Sequence, residues 1–159
     1  MKLFSQIVDL SRDLIAKYSL KSVNIDDTTM YMVSDKSLLV DIMVWRDETY
    51  VSLICKSNKG WLRYYVGRYF LSSFELQQIL QNKLQVSTQN ATIHEKNLSN
   101  ITFFIDVLRL KGDEIFLDKT MSWTNKYSQA PTKVSLEEIK KIESIVESCD
   151  CPRMSLSTD

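Results

Sequence analysis

A chain of 159 residues, 44% hydrophobic and 25% charged, has the size and composition of one globular domain and not of a disordered or fibrous protein. Its 20 Lys plus Arg balance 20 Asp plus Glu, which argues against a globally cationic nucleic-acid binder while leaving room for a local basic patch. Three glycines and two prolines speak against collagen-like or linker-rich designs and against glycine-rich phosphate cradles.

Residues 3–18 read as an amphipathic helix. Leu3, Ile7, Leu10, Leu14 and Tyr18 recur at spacings of three and four, Phe4, Val8 and Ile15 widen the stripe, and Asp9, Arg12, Asp13 and Lys17 take the other side. Acids inside this periodicity and the lack of a small-residue cleavage site set the segment apart from a signal peptide. No apolar run approaches the ~18–20 residues that span a bilayer. Cys55, Cys149 and Cys151 are an odd number and form no disulfide framework, so a cytoplasmic protein with reduced thiols is expected.

Residues 29–66 read as an antiparallel meander. Thr29 to Val33 is short and apolar, "SLLVDIMVWRDETYVSLICK" contains two alternating runs, and "GWLRYYV" is a third. Taking Asp47-Glu48 as a two-residue turn pairs Val44 with Val51, Ile42 with Leu53 and Val40 with Cys55. Taking 57–60 as a loop pairs Cys55 with Leu62, Leu53 with Tyr64 and Val51 with Val66. Both hairpins then put the same residues of the middle strand on one apolar face, an agreement that a one-residue slip would destroy. Asp-Glu is a poor two-residue turn, so a longer or bulged first loop stays open.

Ser72 and Glu75 form a capping-box pattern that opens a helix over 73–84. Residues 85–100 read as a polar connection. Its N-x-S/T triplets at Asn90, Asn97 and Asn100 reflect an Asn/Thr-rich segment if the chain is not secreted. "ITFFIDVLRLKGDEIFLDKT" fits a buried helix or strands; its β-branched and aromatic content and the turn-like "KGDE" favour a hairpin over 101–120. Residues 121–133 read as a loop. Ser135 with Glu138 caps a last helix over 135–148, with Leu136, Ile139, Ile142 and Ile145 or Val146 as its stripe. Residues 151–159 are expected to be a frayed tail. The expectation is one α+β domain over 1–150 with a largely antiparallel sheet.

The other side of the meander bears most on function. In these registers Leu39, Asp41, Met43, Trp45, Tyr50, Ser52, Ile54, Lys56, Trp61, Arg63 and Tyr65 share it. A solvated face is mostly polar, so this one is either covered by the protein's own helices or is a surface for a partner. Trp45, Tyr50, Trp61, Arg63, Tyr65, Asp41 and Met43 are the expected contact residues, because Trp, Tyr, Met and Arg are enriched at interface cores. Asp41 and Arg63 flank Ile54 in one row, close enough for an ion pair.

Reactive constellations are sparse. The single histidine, His94, reads as a loop residue, and the Cys149/Cys151 pair has no second ligand pair, so no metal or other cofactor is expected. No nucleophile elbow or Walker-type loop occurs. A helix followed by three strands, with Asp41 in the second and Lys56 ending the third, resembles the core of restriction-endonuclease-like nucleases, which would imply metal-dependent cleavage; Ile54 stands where that family carries a second metal-binding acid. Exposed aromatics flanked by cations also suit single-stranded nucleic acid, with Trp61, Arg63 and Tyr65 beside Lys56, Lys59 and Arg68, but Asp41 on the same face repels phosphate.

In size, in scarcity of Gly and Pro, in its aromatic-rich meander and in lacking catalytic motifs, the chain resembles the small immunity proteins of bacterial toxin–immunity systems, including those of contact-dependent growth inhibition. The resemblance implies a non-enzymatic protein that binds one cognate toxin domain and occludes its active site. The acidic pairs Asp26-Asp27, Asp47-Glu48 and Glu137-Glu138 would steer it toward a basic cleft. A nucleic-acid-binding module and a degenerate nuclease-like domain are the alternatives.

Overall fold

Alternation along the meander builds a sheet whose two faces are both apolar, and helices cover one face fully and the other in part. The computed structural model describes residues 2–67, 70–82, 91–127 and 129–149. Helices α1 (Lys2–Leu10) and α2 (Arg12–Tyr18) lead into β1 (Lys21–Asn24), β2 (Thr29–Asp35), β3 (Leu38–Trp45), β4 (Glu48–Ser57) and β5 (Gly60–Tyr65). Then come α3 (Ser73–Asn82), α4 (Ile93–Gly112), a π-helical turn (Asp113–Leu117), a 3-10 turn (Ser122–Lys126), β6 (Thr132–Lys133) and α5 (Leu136–Ser148). The strands pair in sequence order, every pair antiparallel. The α+β class and the antiparallel meander are therefore as expected, with β1 and β6 as added edge strands. No helix among the described residues is long and apolar enough to cross a membrane.

The second hairpin has the expected register: Cys55 faces Leu62 and Leu53 faces Tyr64. The first is shifted by two residues, with Ile42 opposite Val51, Val44 opposite Thr49 and Trp45 opposite Glu48. The turn is Arg46-Asp47, and Arg46 adopts φ 57, the left-handed conformation that a tight hairpin turn needs at its first position. Asn97 of α4 fastens it, its Nδ2 donating to the Arg46 carbonyl at 2.7 Å while its Oδ1 accepts from Thr49 at 3.0 Å. A shift of two keeps every side chain on its expected face. Asn97 is buried, which leaves that triplet no room for a glycan in the folded chain; Asn90 lies outside the described residues.

On the first face Met30, Met32, Val40, Ile42, Val51, Leu53, Cys55 and Tyr64 meet Phe4, Ile7, Ile101, Ile105 and Leu108 from the helices. The hairpin expected over 101–120 is corrected to the 20-residue helix α4 and the π turn that continues it. Ile101, Ile105 and Leu108 lie at i, i+4 and i+7, so one helical stripe covers the sheet, and that burial outweighs the β-branched composition. The polar connection expected over 85–100 likewise gives way to helix from Ile93, capped by Thr92, whose hydroxyl accepts from the Glu95 amide at 3.1 Å. His94 accordingly sits on the first turn of α4, bonded to Gln6 of α1, and not in a loop.

The expected helix over 3–18 is divided at Ser11. Arg109 of α4 clamps the division, donating to the Leu10 carbonyl and, from Nε, to Asp13 Oδ2 at 2.8 Å. The capping box at Ser72 and Glu75 forms in both directions, with bonds of 2.9 and 3.2 Å. Positions 83 and 84 of the expected third helix and the tail over 151–159 lie outside the described residues.

Gly112 lets Tyr18 lie flat on the end of α4. A Cβ there would stand 2.5 Å from the Tyr18 hydroxyl oxygen, which donates to Asp113 Oδ1 at 2.6 Å. Gly112→Ala, which would stabilise an open helix interior, is therefore expected to cost about 1–3 kcal/mol through overpacking. Urea denaturation measures this; a neutral or stabilising effect would contradict the Tyr18 contact.

Candidate functional site

The second face of the sheet divides at Arg63. Helix α5 covers one half: Ile142 and Val146 are buried against Tyr31, Val33, Leu39, Ile54 and Trp61. Ser135 caps α5, accepting from the Glu138 amide at 3.2 Å, and β6 ties the approach to β5 through Leu62–Lys133 and Arg63–Thr132 pairing. Leu136, expected in the apolar stripe, is instead exposed, one turn before the helix meets the sheet.

Trp61 lies under this helix, 4% exposed, with Nε1 donating to Glu143 Oε2 at 3.4 Å. It is a core residue and so no surface contact, which corrects its place among the expected contact residues. Lys56 is held nearby, 3.6 Å from the Glu143 carboxylate and over the Trp61 ring.

Arg63 joins three elements. Its Nη2 donates to Glu138 Oε2 of α5 at 2.6 Å and to Asp41 Oδ2 of β3 at 3.0 Å, and its Nε donates to Ser52 Oγ of β4 at 3.2 Å. The expected Asp41–Arg63 pair thus exists, but by another route. With the first hairpin shifted, Asp41 faces Ser52 and Ile54 faces Leu39, so the guanidinium passes over Ser52. Four of the five N–H groups of Arg63 are engaged within its own fold, and Arg63, like Asp41, is largely buried.

Asp41 is the unusual group. Its Oδ2 holds Arg63, but its buried Oδ1 has no hydrogen-bond partner among the described residues. Burial pushes its pKa up to about 6 against the opposing charge of Arg63. Glu138 moves the other way, held below its ordinary value by the Arg63 hydrogen bond. The two carboxylates share one guanidinium, and the more exposed Glu138 keeps the charge at lower cost.

Past the N-terminal end of α5 the face is open. Met43, Trp45, Tyr50 and Tyr65 are 38%, 55%, 40% and 42% exposed. A concavity of about 210 Å³ lies among Tyr31, Asp41, Met43, Tyr50, Arg63 and Tyr65, with Asp26, Glu138 and Lys141 also on its wall. Tyr50 donates to Glu48 at 2.7 Å, and Arg46 stacks over Trp45. The structure therefore brings Asp41, Met43, Tyr50, Arg63 and Tyr65 together, sets Trp45 at the outer end of the same face and removes Trp61. Tyr31, Asp26 and Glu138 are not among the expected contact residues of this face. Tyr31 alternates in phase with the second face, and Asp26 and Glu138 were legible only as members of acidic pairs and, for Glu138, as a helix cap.

Other chemistries are less well served. Asp41 and Lys56 do not converge: Lys56 lies four residues beyond the Asp41 partner Ser52 along β4, roughly 13 Å at strand rise, and Lys56 meets Glu143 of α5 whereas Asp41 is paired with Arg63. Among the described residues no three His, Cys, Asp or Glu side chains are grouped to hold a metal ion. Around the open aromatics Asp26, Asp41, Glu48 and Glu138 stand against Arg46, Lys141 and the sequestered Arg63, a poor setting for phosphate; Lys59 lies in the turn at the other end of β4, and Arg68 is outside the described residues. A larger cleft of about 940 Å³ opens between the β2–β3 turn and residues 115–124. Its Lys119 is paired with Asp35 at 3.1 Å, and its thiol, Cys55, is pushed up to about 11 by burial and is no nucleophile.

Comparison with protein-family models, curated proteins and solved structures finds no match.

The raised pKa of Asp41 has a sign. A carboxyl whose folded pKa exceeds its unfolded value stabilises the fold below about pH 4 and loses that contribution as pH rises through about 6. Asp41→Asn keeps the shape and removes the titration. Its stability relative to the wild type is expected to improve by about 2–3 kcal/mol between pH 4 and pH 7, two pKa units at ~1.4 kcal/mol each. Urea unfolding at both pH values decides; parallel profiles would mean that Asp41 ionises normally.

Proposed function

We propose that the protein is a non-enzymatic protein-binding module whose partner is a toxin domain that it neutralises by occlusion. The observation that supports binding is the half-covered sheet face. Met43, Tyr50 and Tyr65 stand exposed on the edge of a concavity, with Trp45 exposed farther out on the same face, on strands packed from behind by α4. Side chains of these types, fixed before contact, add area at low entropic cost, which is how interface hot spots work. The resemblance to immunity proteins supports the toxin domain as the partner, and the acids beside the aromatics suit a basic surface on it.

Co-purification with the product of the adjacent gene identifies the partner, and survival of cells expressing both tests neutralisation. Trp45→Ala, Tyr50→Ala and Tyr65→Ala are each expected to weaken that complex by about 1–2 kcal/mol or more without unfolding the protein. Trp61→Ala is expected to cost about 3–5 kcal/mol of folding stability instead. If all three exposed substitutions leave the affinity unchanged, this face is not the interface. Binding to a single-stranded oligonucleotide that falls steeply between about 50 and 200 mM salt would favour the nucleic-acid alternative.

A further inference from the structure

We infer that the cleft between the β2–β3 turn and residues 115–124 binds a small organic anion, with the apolar body on the cleft floor and a carboxylate or phosphate head against Ser34 and Lys36. The cleft lies at the opposite end of β3 from Met43 and Trp45, and the inference does not rest on the partner-binding reading.

Ser34 carries the case. Val33 pairs with Leu39 and Asp35 with Leu38, so Ser34 is left over between consecutive partners as a β-bulge. A bulge bends its strand and re-aims a side chain, a device frequent beside functional sites. Here Ser34 lines the cleft. It is 9% exposed, yet its hydroxyl has no hydrogen-bond partner among the described residues. Unlike the sealed oxygens of Ser11 and Asp41, that hydroxyl keeps open surface. A nearly buried hydroxyl ordinarily has a partner, and the cleft is the side from which one reaches it.

Charge sets the sign of the head group. Lys17, Lys36, Lys56 and Lys119 line the cleft against Asp35 and Asp118. Both acids are taken up by the fold. Asp35 accepts from the Ser37 amide at 2.7 Å and from Lys119 at 3.1 Å, and Asp118 accepts from the Thr120 amide at 3.0 Å and from the Ser122 hydroxyl. Lys17 and Lys56 stand 3.3 Å from Asp113 and 3.6 Å from Glu143, exposed pairs that water screens. Lys36, exposed on the turn beside Ser34, has no carboxylate at ion-pair distance among the described residues. An incoming anion therefore finds an unengaged ammonium and an unengaged hydroxyl, whereas an incoming cation finds lysines and acids already bonded.

The floor sets the body. Leu38, Cys55, Ile115 and Phe116 line the cleft as buried side chains. A volume of about 940 Å³ is at the upper end of the ~300–1,000 Å³ of small-molecule sites, which combine apolar walls with a few placed polar groups. The wall facing the β2–β3 turn contains the π-helical turn Asp113–Leu117 and Met121 at φ 55, irregular backbone of the kind that gathers at binding sites.

The probes are octyl phosphate, octanoate, the neutral octanamide and the cationic octylammonium, titrated below micelle-forming concentrations into the full chain and followed by amide NMR shifts. Saturable shifts centred on Ser34, Lys36 and Phe116 are expected for octyl phosphate, octanoate or both, and the stronger of the two names the head group. Octanamide and octylammonium are expected to bind at least about tenfold more weakly, the factor for one charge-assisted hydrogen bond. Ser34→Ala and Lys36→Gln are each expected to weaken the stronger anion about threefold or more, within the range of one hydrogen bond and of one partly exposed ion pair. Lys36→Gln, on an exposed turn, keeps the test decisive should Ser34→Ala fail to fold. Trp45→Ala is expected to leave anion binding unchanged.

No saturable shift for either anion, octanamide or octylammonium binding as tightly as the anions, shifts centred on Trp45 and Tyr65, or full affinity retained in the folded Ser34 and Lys36 variants would overturn the inference. The partner-binding reading stands or falls separately, on the three exposed substitutions of the sheet face.

Discussion

Arg63 stands where three parts of the structure meet. Strand β5 carries it, β3 offers Asp41, and the first turn of α5 offers Glu138 at 2.6 Å. Its own burial opposes the charge, but the two carboxylates outweigh that cost and hold it protonated. Because the pair is mostly shielded from water, losing one partner would strand a charge, a penalty of roughly 3–5 kcal/mol in comparable settings. This linkage sets where α5 begins its contact with the sheet. Ile139, Ile142 and Val146 follow from it at helical spacing and bury Tyr31, Leu39, Ile54 and Trp61, while everything on the other side of Arg63 stays uncovered.

The first face shows what full coverage looks like. Helices α1 and α4 lay aliphatic stripes on β3 and β4, and polar contacts fix their placement: Arg109 at the division between α1 and α2, Asn97 at the β3–β4 turn, and Tyr18 on Gly112. Each satisfies a backbone or side-chain group that packing would otherwise leave unpaired. The second face uses the same device at Arg63 and, through Glu143, at Trp61 and Lys56, and leaves Asp41 Oδ1 without a partner among the described residues. An antiparallel sheet backed on one side and half covered on the other carries a ready-made boundary between interior and open face.

Much of the sheet was legible because strand periodicity is so constraining. Sidedness survived a two-residue error in the first hairpin because side chains repeat every two residues. Residues 101–120 were harder. Ile101, Thr102, Phe103, Phe104, Ile105 and Val107 are strand-rich by composition, and the local signal for helix, the Thr92/Glu95 box, lay well upstream of the apolar run. What settled the matter was a sheet face needing a cover, a demand made by residues far away in the chain. The Asp41–Arg63 pair was visible as two opposite charges on one face, but its third member, Glu138, came from a helix 75 residues away from Arg63.

By itself the sequence determined the α+β class, the meander, the helix caps and which side chains share a sheet face. These follow from local backbone geometry: the two-residue strand repeat, the 3.6-residue helix repeat and the side chains able to bond free amides at a helix start. Only the tertiary structure decided which half of the second face is interior. Trp61 and Tyr65 are equivalent in alternation and chemistry, yet one is 4% and the other 42% exposed. The difference is the length and placement of α5, and burial depends on where a distant element comes to rest, which no periodicity within the strand can encode.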